Sequence, residues 1–203
     1  MNVSASIESS HPRLSTAHPL ARRTHRISAV LLGTFGVLHL CNHPLVAAGA
    51  DTHQVVMGVL RRLYRTPVAE LLLYAAIGAQ VASGWTLFRL SRGACGERRW
   101  RRYSGAFLSF FLVAHGLAAQ YQRHVAGLDS NAYWAAAVLV WPWALWFVPY
   151  YILGVTSFVV HLGAVFGVRA ARSAAFGVGL AAVIILGLSG VFHPLDIPAA
   201  YQR

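Results

Sequence analysis

Two histidines carry the first chemical signal in this chain. His39 and His115 each stand thirteen residues beyond an arginine that opens an apolar run, Arg26 and Arg102, and in both runs a serine follows two positions after the arginine, Ser28 and Ser104. At 1.5 Å of rise per residue that step places each ring about 20 Å along its helix. An ionisable ring so deep in an uncharged, membrane-length run is costly unless something satisfies it, which makes it a functional position by default. Two helices running in one direction hold these imidazoles at one depth. Opposed imidazoles at one depth are how a protein grips a flat metal macrocycle, with one axial nitrogen on each face of the iron. The plainer reading of a lone histidine is a buried ring hydrogen-bonded to a neighbouring helix. Matched spacing on two co-directional helices, with Ser28 and Ser104 on roughly the histidine faces, is not something packing alone supplies.

A second layer lies nearer the other surface. Gln80 stands nine residues before Arg89 and His161 eight before Arg169, so on helices that run the opposite way both fall about 12–14 Å from that surface.

The elements that must position these residues are membrane helices. Of the 203 residues 57% are hydrophobic and 11% charged, and the mean hydropathy is +0.53, which argues for a polytopic membrane protein rather than a soluble domain. The net charge of +11 comes from arginine alone, for there is no lysine. It clusters at the ends of apolar segments and so reads as a topology signal, not as a nucleic-acid footprint. The expected architecture is all-α, with five transmembrane helices at about 25–46, 68–89, 103–121, 146–168 and 174–192 in a bundle around the histidines. Residues 1–23 read as a cytoplasmic N-terminal arm, 24–193 as the helical domain and 194–203 as an exterior tail.

Twelve arginines fall on one side in this scheme: Arg13, Arg22, Arg23 and Arg26, the six from Arg89 to Arg102, and Arg169 with Arg172. Arg61, Arg62, Arg65, Arg123 and Arg203 fall on the other. By the positive-inside rule the first side, and with it the N-terminus, is cytoplasmic. The connection 44–67 holds a short apolar stretch, 55–60, flanked by His53 and by Arg61 and Arg62. It is too short to span and amphipathic enough to lie on the surface as a lid. Tryptophans 134, 141, 143 and 146 suggest an interfacial belt. Cys41 and Cys95 fall on opposite sides and do not pair. The first apolar segment runs past any plausible cleavage point, so a removable signal peptide is not indicated.

Three runs carry a resemblance. The stretch from Arg22 through His25 and Arg26 to His39, the stretch from Tyr103 to His115, and the stretch from Tyr150 to His161 resemble, in order and spacing, the first, third and fourth helices of the single-chain, five-helix cytochrome b anchors of succinate:quinone oxidoreductases and fumarate reductases. The likeness covers the chain from about residue 20. It implies a subunit of the bacterial inner (cytoplasmic) membrane that binds heme b, docks a flavoprotein and an iron-sulphur subunit on its cytoplasmic face, and exchanges electrons with a membrane quinone in a lipid surround. In diheme members the first and third helices supply one pair of iron ligands, which fall on His39 and His115. The second and fourth supply the other, which fall on Gln80 and His161. A carboxamide is a poor ligand for heme iron, so one firmly bound heme is expected, with His161 a further possible ligand.

His25, Arg26 and Ser28 also resemble the signature at which related anchors hold quinone and heme propionates. Arg26, Ser28, Arg102 and Ser104 are accordingly quinone or propionate candidates, since a guanidinium forks onto carboxylates and a hydroxyl bonds a quinone carbonyl. Glu70 is either a proton or quinol ligand or a helix N-terminal acid favoured by the dipole. No flavin or nucleotide fingerprint and no cysteine cluster occurs, so partners would bring those cofactors. A free-standing b-type cytochrome of another quinone-linked reductase, and a heme-free anchor or transport bundle, are the rival readings.

Overall fold

The computed structural model describes residues 14–202, and among them the chain is mostly helical with no strand. Arg13, Arg203 and most of the expected N-terminal arm lie outside the described residues. The seven α-helices are α1 (Leu14–Asn42), α2 (Ala50–Tyr64), α3 (Pro67–Leu90), α4 (Glu97–His124), α5 (Ala132–Ala137), α6 (Ala144–Val165) and α7 (Ala170–Leu188), with 3-10 turns at His43–Ala48 and Ala199–Tyr201. Four apolar stretches, Pro19–Ala48, Pro67–Leu90, Ala144–Val165 and Ala170–Leu188, are long and apolar enough to cross a membrane. The chain is a multi-pass membrane protein.

The expected count of five spans is met by four on length and apolarity. The difference is α4, which at 28 residues is longer than α3, α6 or α7. Its opening turns carry Arg98, Arg99, Arg101 and Arg102, and Ser104, Ser109, His115 and Gln120 dilute the apolar run behind them. The polar residues that make α4 interesting are the ones that lower its hydropathy.

The helix ends have local causes. Thr66 caps α3, its side chain accepting from the Ala69 amide at 3.3 Å, and Pro67 fills the first helical position, where a missing N–H costs nothing. The fourth expected span runs to 168, yet α6 stops at Val165. Gly167 takes φ +71° and the Val168 amide folds back onto the Gly163 carbonyl at 2.9 Å, a left-handed glycine stop. The last helix ends the same way: Gly190 at φ +76° and the Val191 amide on Leu186 O at 3.0 Å close α7 four residues before the expected 192. At the other end of the chain α1 already includes Leu14, the first described residue, rather than beginning after Arg23, and it continues through Pro19.

Large apolar side chains such as Val68, Leu71, Leu153 and Phe176 are exposed away from the cavity, as lipid-facing residues are. The buried core is small and sits at one end, where Val46, Ala132, Ala136, Ile184 and Leu188 meet beneath α2 and α5. Helices α6 and α7 cross closely at Gly177, where a Cβ would lie 2.8 Å from Thr156 Cα, the small-residue contact common between membrane helices. The middle of the bundle is a cavity instead of a core.

The surface-lying segment is longer than the apolar stretch 55–60 suggests. α2 spans 15 residues, buries His53 and Met57, and leaves Val55, Val59 and Leu63 exposed. Arg61 and Arg65 tie it to the loop before α5: Arg61 donates to Asp129 at 2.6 Å and to Ser130 O at 2.7 Å, and Arg65 donates to Asp129 at 2.9 Å. These are arginines placed at an interface to meet an anionic group, here Asp129 of the same chain.

Candidate functional site

A cavity of about 2560 Å³ runs between α1, α3, α4 and α6, against roughly 300–1,000 Å³ for an ordinary small-ligand pocket. One mouth is rich in arginine, with Arg22, Arg26, Arg98 and Arg102 on its wall. The opposite mouth, under α2, holds Arg65, Glu70 and Arg123. Six histidines line the space between: His25, His39, His43, His53, His115 and His161.

His39 of α1 and His115 of α4 come together near the α2 end. Their ring centres are 6.1 Å apart, with planes at 61°. Each rests on a phenylalanine one turn earlier in its own helix: Phe35 stacks on His39 at 5.4 Å, and Phe111 on His115 at 5.4 Å and 6°. The i, i+4 spacing makes both stacks. Phe111 is seated over Gly154 of α6, and a Cβ at Gly36 would fall 2.7 Å from Phe158. Gly36, one turn before His39, thus admits an aromatic ring of the neighbouring helix α6.

Two further histidines stand beside His39. His43 Nε2 lies 3.2 Å from His39 Nε2, and His53 stacks on His43 at 5.6 Å. His53 is fully buried with neither ring nitrogen partnered. Burial, helped by the charge of Arg61, pushes its pKa down to about 4, so the ring is neutral at pH 7. The sequence carried a signal for His43, four residues after His39 and hence on its face. It carried little for His53, since α2 is amphipathic and its inward face is not fixed by pattern alone.

The second layer is built differently from the expectation. His161 of α6 faces His25 of α1, their ring centres 6.4 Å apart and their planes at 78°. Gln80 lies beside them as a hydrogen-bonding bracket. Its Oε1 accepts from Ser28 at 2.5 Å and its Nε2 lies 3.2 Å from His25 Nε2. His25 Nδ1 bonds Ser83 Oγ at 3.3 Å, and His161 Nδ1 bonds the Arg101 carbonyl at 3.1 Å. His25 stands fourteen residues before His39, about four helical turns and therefore on its face. That spacing was the available signal.

The remaining candidates separate into two groups. Arg26 and Arg102 line the arginine-rich mouth, Arg102 lying 3.8 Å over the Phe88 ring and donating to Phe88 O at 3.3 Å. Ser28 and Ser104 are buried off the cavity wall and spend their hydroxyls on neighbours, Ser28 on Gln80 and Thr24 O, Ser104 on Arg101 O. Glu70 sits at the far mouth and ties α3 to α4, accepting from Arg123 at 2.5 Å, Tyr74 at 2.9 Å and Gln120 at 3.1 Å.

Among the described residues no group of three or more His, Cys, Asp or Glu side chains is gathered for a bare metal ion. Each layer instead offers two opposed imidazoles, a donor set that suits a metal bringing its equatorial ligands with it. Comparison with protein families, with curated proteins and with solved structures finds no match to this chain.

Proposed function

We propose that the chain is the membrane-anchor cytochrome b subunit of a succinate:quinone oxidoreductase or quinol:fumarate reductase. Its spans would be the four apolar stretches with α4 as the fifth, its N-terminus and arginine-rich mouth cytoplasmic, in a bacterial inner membrane. The observation that carries the reading is the pair His39 and His115, facing across the cavity at 6.1 Å. Two imidazoles this close on two different helices are a donor set that would hold a metal bringing its equatorial ligands with it.

Bound there, heme b would supply a one-electron carrier between an iron-sulphur partner and quinone. The protein's own residues do the rest. Phe35 and Phe111 fix the planes of the two rings, and α2 adds His53 and Met57 to the wall beside them. Arg22, Arg26 and Arg102 present fixed positive charge at the cytoplasmic mouth, where propionate carboxylates or a quinone carbonyl would find planar donors.

The test is the redox difference spectrum of the purified chain with His39→Ala and His115→Ala. Each substitution is expected to remove the same low-spin signal. A colourless wild-type protein, or loss with only one of the two, would refute the pairing. Co-purification of flavin and iron-sulphur subunits separates an anchor from a free-standing cytochrome.

A further inference from the structure

The α2 end of the cavity holds two histidines that the pairing of His39 with His115 leaves without a function, His43 and His53. We propose that His39 and His43 form a binding site for one zinc ion, which the chain takes up before heme and gives up when heme is loaded. The site stands on its own geometry, and only its rivalry with heme rests on the cytochrome reading above.

Spacing is the first observation. His43 follows the last residue of α1 and stands four positions after His39, so both rings leave one face. Two histidines at that step are a recurrent way for a helix to hold zinc. Their Nε2 atoms lie 3.2 Å apart, and two nitrogens bound at about 2.0–2.1 Å to a tetrahedral zinc lie about 3.3–3.4 Å apart. The pair therefore closes on the ion with little movement. Without metal, one Nε2 donates to the other. A neutral imidazole carries a single proton, so as zinc takes both Nε2 lone pairs the donor ring passes its proton from Nε2 to Nδ1, and none need leave the protein.

The second observation is a group of buried polar atoms with nothing to bond. His53 is fully buried and stacks on His43 at 5.6 Å, yet neither of its ring nitrogens has a partner, and Oδ1 of Asn42, next to His43 in the chain, is buried without one as well. Such atoms in a native fold call for an ion or an ordered water. Among the described residues no three His, Cys, Asp or Glu side chains gather on one metal, so the protein supplies two nitrogens and water completes the tetrahedron. His53 and Asn42 are placed to bond that water.

The surroundings set the strength of the site. Both ligands are neutral, and Arg61 and Arg65 share the one carboxylate of Asp129 nearby. Zinc is accordingly held less firmly than in a site of thiolates or carboxylates. Iron and zinc draw on the same His39 imidazole, so each excludes the other. Imidazole donors also select the ion, since magnesium and calcium take oxygen ligands.

The test uses the full chain purified in detergent without added heme. Zinc is titrated against a chromophoric chelator, and Co²⁺ is bound in its place so that its visible spectrum reports the geometry. Wild type is expected to bind one zinc and to give a tetrahedral Co²⁺ spectrum. In His43→Leu the affinity is expected to fall by at least the about 10–100-fold that loss of an outer-shell partner costs. His43→Cys returns a zinc ligand to the position and is expected to recover binding, which a fold defect would not allow. Equimolar zinc is expected to slow heme loading of wild type and to leave the rate of His43→Leu as it is without zinc. No zinc in wild type, undiminished binding in His43→Leu, no recovery in His43→Cys, or equal slowing of heme loading in wild type and His43→Leu would overturn the site. A chain that binds zinc through His43 and never takes heme would instead remove the cytochrome reading and leave the zinc site standing.

Discussion

The two histidine layers solve one problem by different means. At the α2 end the rings are held by other rings: Phe35 and Phe111 stack on His39 and His115, Trp134 leans on His115 at 6.1 Å, and His43 backs His39. At the arginine-rich end the rings are held by hydrogen bonds with Ser83, Gln80 and the Arg101 carbonyl. Stacked aromatics fix a ring's plane through shape, and the hydrogen bond in that layer, His39 Nε2 to His43 Nε2 at 3.2 Å, joins two rings either of which can carry the proton. Hydrogen bonds fix both plane and tautomer. The first layer should therefore answer to changes of volume and the second to changes of polarity as well.

The largest effect separating the layers comes from their glycine seats. Gly154→Val drives a branched side chain into Phe111, which stacks on His115; Gly105→Val drives one into the His161 ring. Gly154→Val is expected to lose the heme signal proposed for His39 and His115, and Gly105→Val to keep it. Gly116→Ala on α4, where a Cβ meets nothing within 4 Å, is expected to keep it too. Optical spectra of the three proteins at matched concentration decide it, and equal loss from both valine variants would show that the layers are one cooperative unit.

A second, narrower difference is polar. Ser83→Ala deletes the acceptor on His25 Nδ1 and leaves the volume of the layer nearly unchanged. It is expected to leave heme retention at His39 and His115 unchanged, whereas Phe111→Ala, which removes the ring stacked on His115, is expected to speed heme loss there. Heme transfer to an excess of apomyoglobin measures it, and an equal rate in both variants would remove the distinction between stacked and hydrogen-bonded layers.

How much of this could be read in the chain follows from the kind of signal each feature leaves. The helices were legible because lipid demands long apolar runs with every backbone group satisfied internally, and arginine clusters mark their ends. The pairing of His39 with His115 was legible because a repeated step on two helices encodes depth directly. The partner of His161 was not, because depth alone does not say which of two polar neighbours on different helices turns inward: Gln80 on α3 and His25 on α1 share a level, and only their mutual hydrogen bond shows that one holds the other. The two serines illustrate the same limit. Their spacing from the histidines is regular, yet Ser28 and Ser104 turn off the cavity wall to nearby acceptors, as hydroxyls in helices commonly do.

The mouths of the cavity offer a third comparison. At the far mouth Glu70 joins α3 to α4 through Arg123, both side chains about four-fifths buried, and Tyr74 and Gln120 complete the network. Arg123→Leu leaves that carboxylate without its cation, at a cost of about 1–3 kcal/mol for a buried acceptor that loses its partner. The expected result is a lower thermal midpoint in detergent with heme content unchanged. Heme loss at an unchanged midpoint would instead make Glu70 and Arg123 part of the ligand site.

The smallest effect concerns α2, the cover of that mouth, and its dependence on acid. Two groups outside the spans set the dependence: His53, which faces His43 and Arg61, and Asp129, which faces Arg61 and Arg65. Burial first, and Arg61 second, lower His53 from 6.5 to about 4. The docked state resists protonating this ring, so docking is at full strength above 6.5, weakens as the pH falls toward 4, and has lost the whole contribution below that. Burial alone would raise the Asp129 carboxyl, but hydrogen bonds and charge from Arg65 and Arg61 outweigh it and hold the group below 3.8. Its contribution is complete above 3.8 and disappears only as the pH drops through the lowered value. The carboxylate is 41% exposed, so solvent screens it and the His53 phase should be the larger. Hydrogen exchange of α2 amides from pH 7 to 3, corrected for intrinsic rates, should rise first between 6.5 and 4 and again below 3.8. In His53→Phe the first phase is expected to vanish and the second to remain, while Asp129→Asn should exchange faster already at pH 7 and lack the second. A single rise below 3.8 in wild type would mean that His53 finds a proton acceptor when charged, and α2 would then be anchored by its arginines alone.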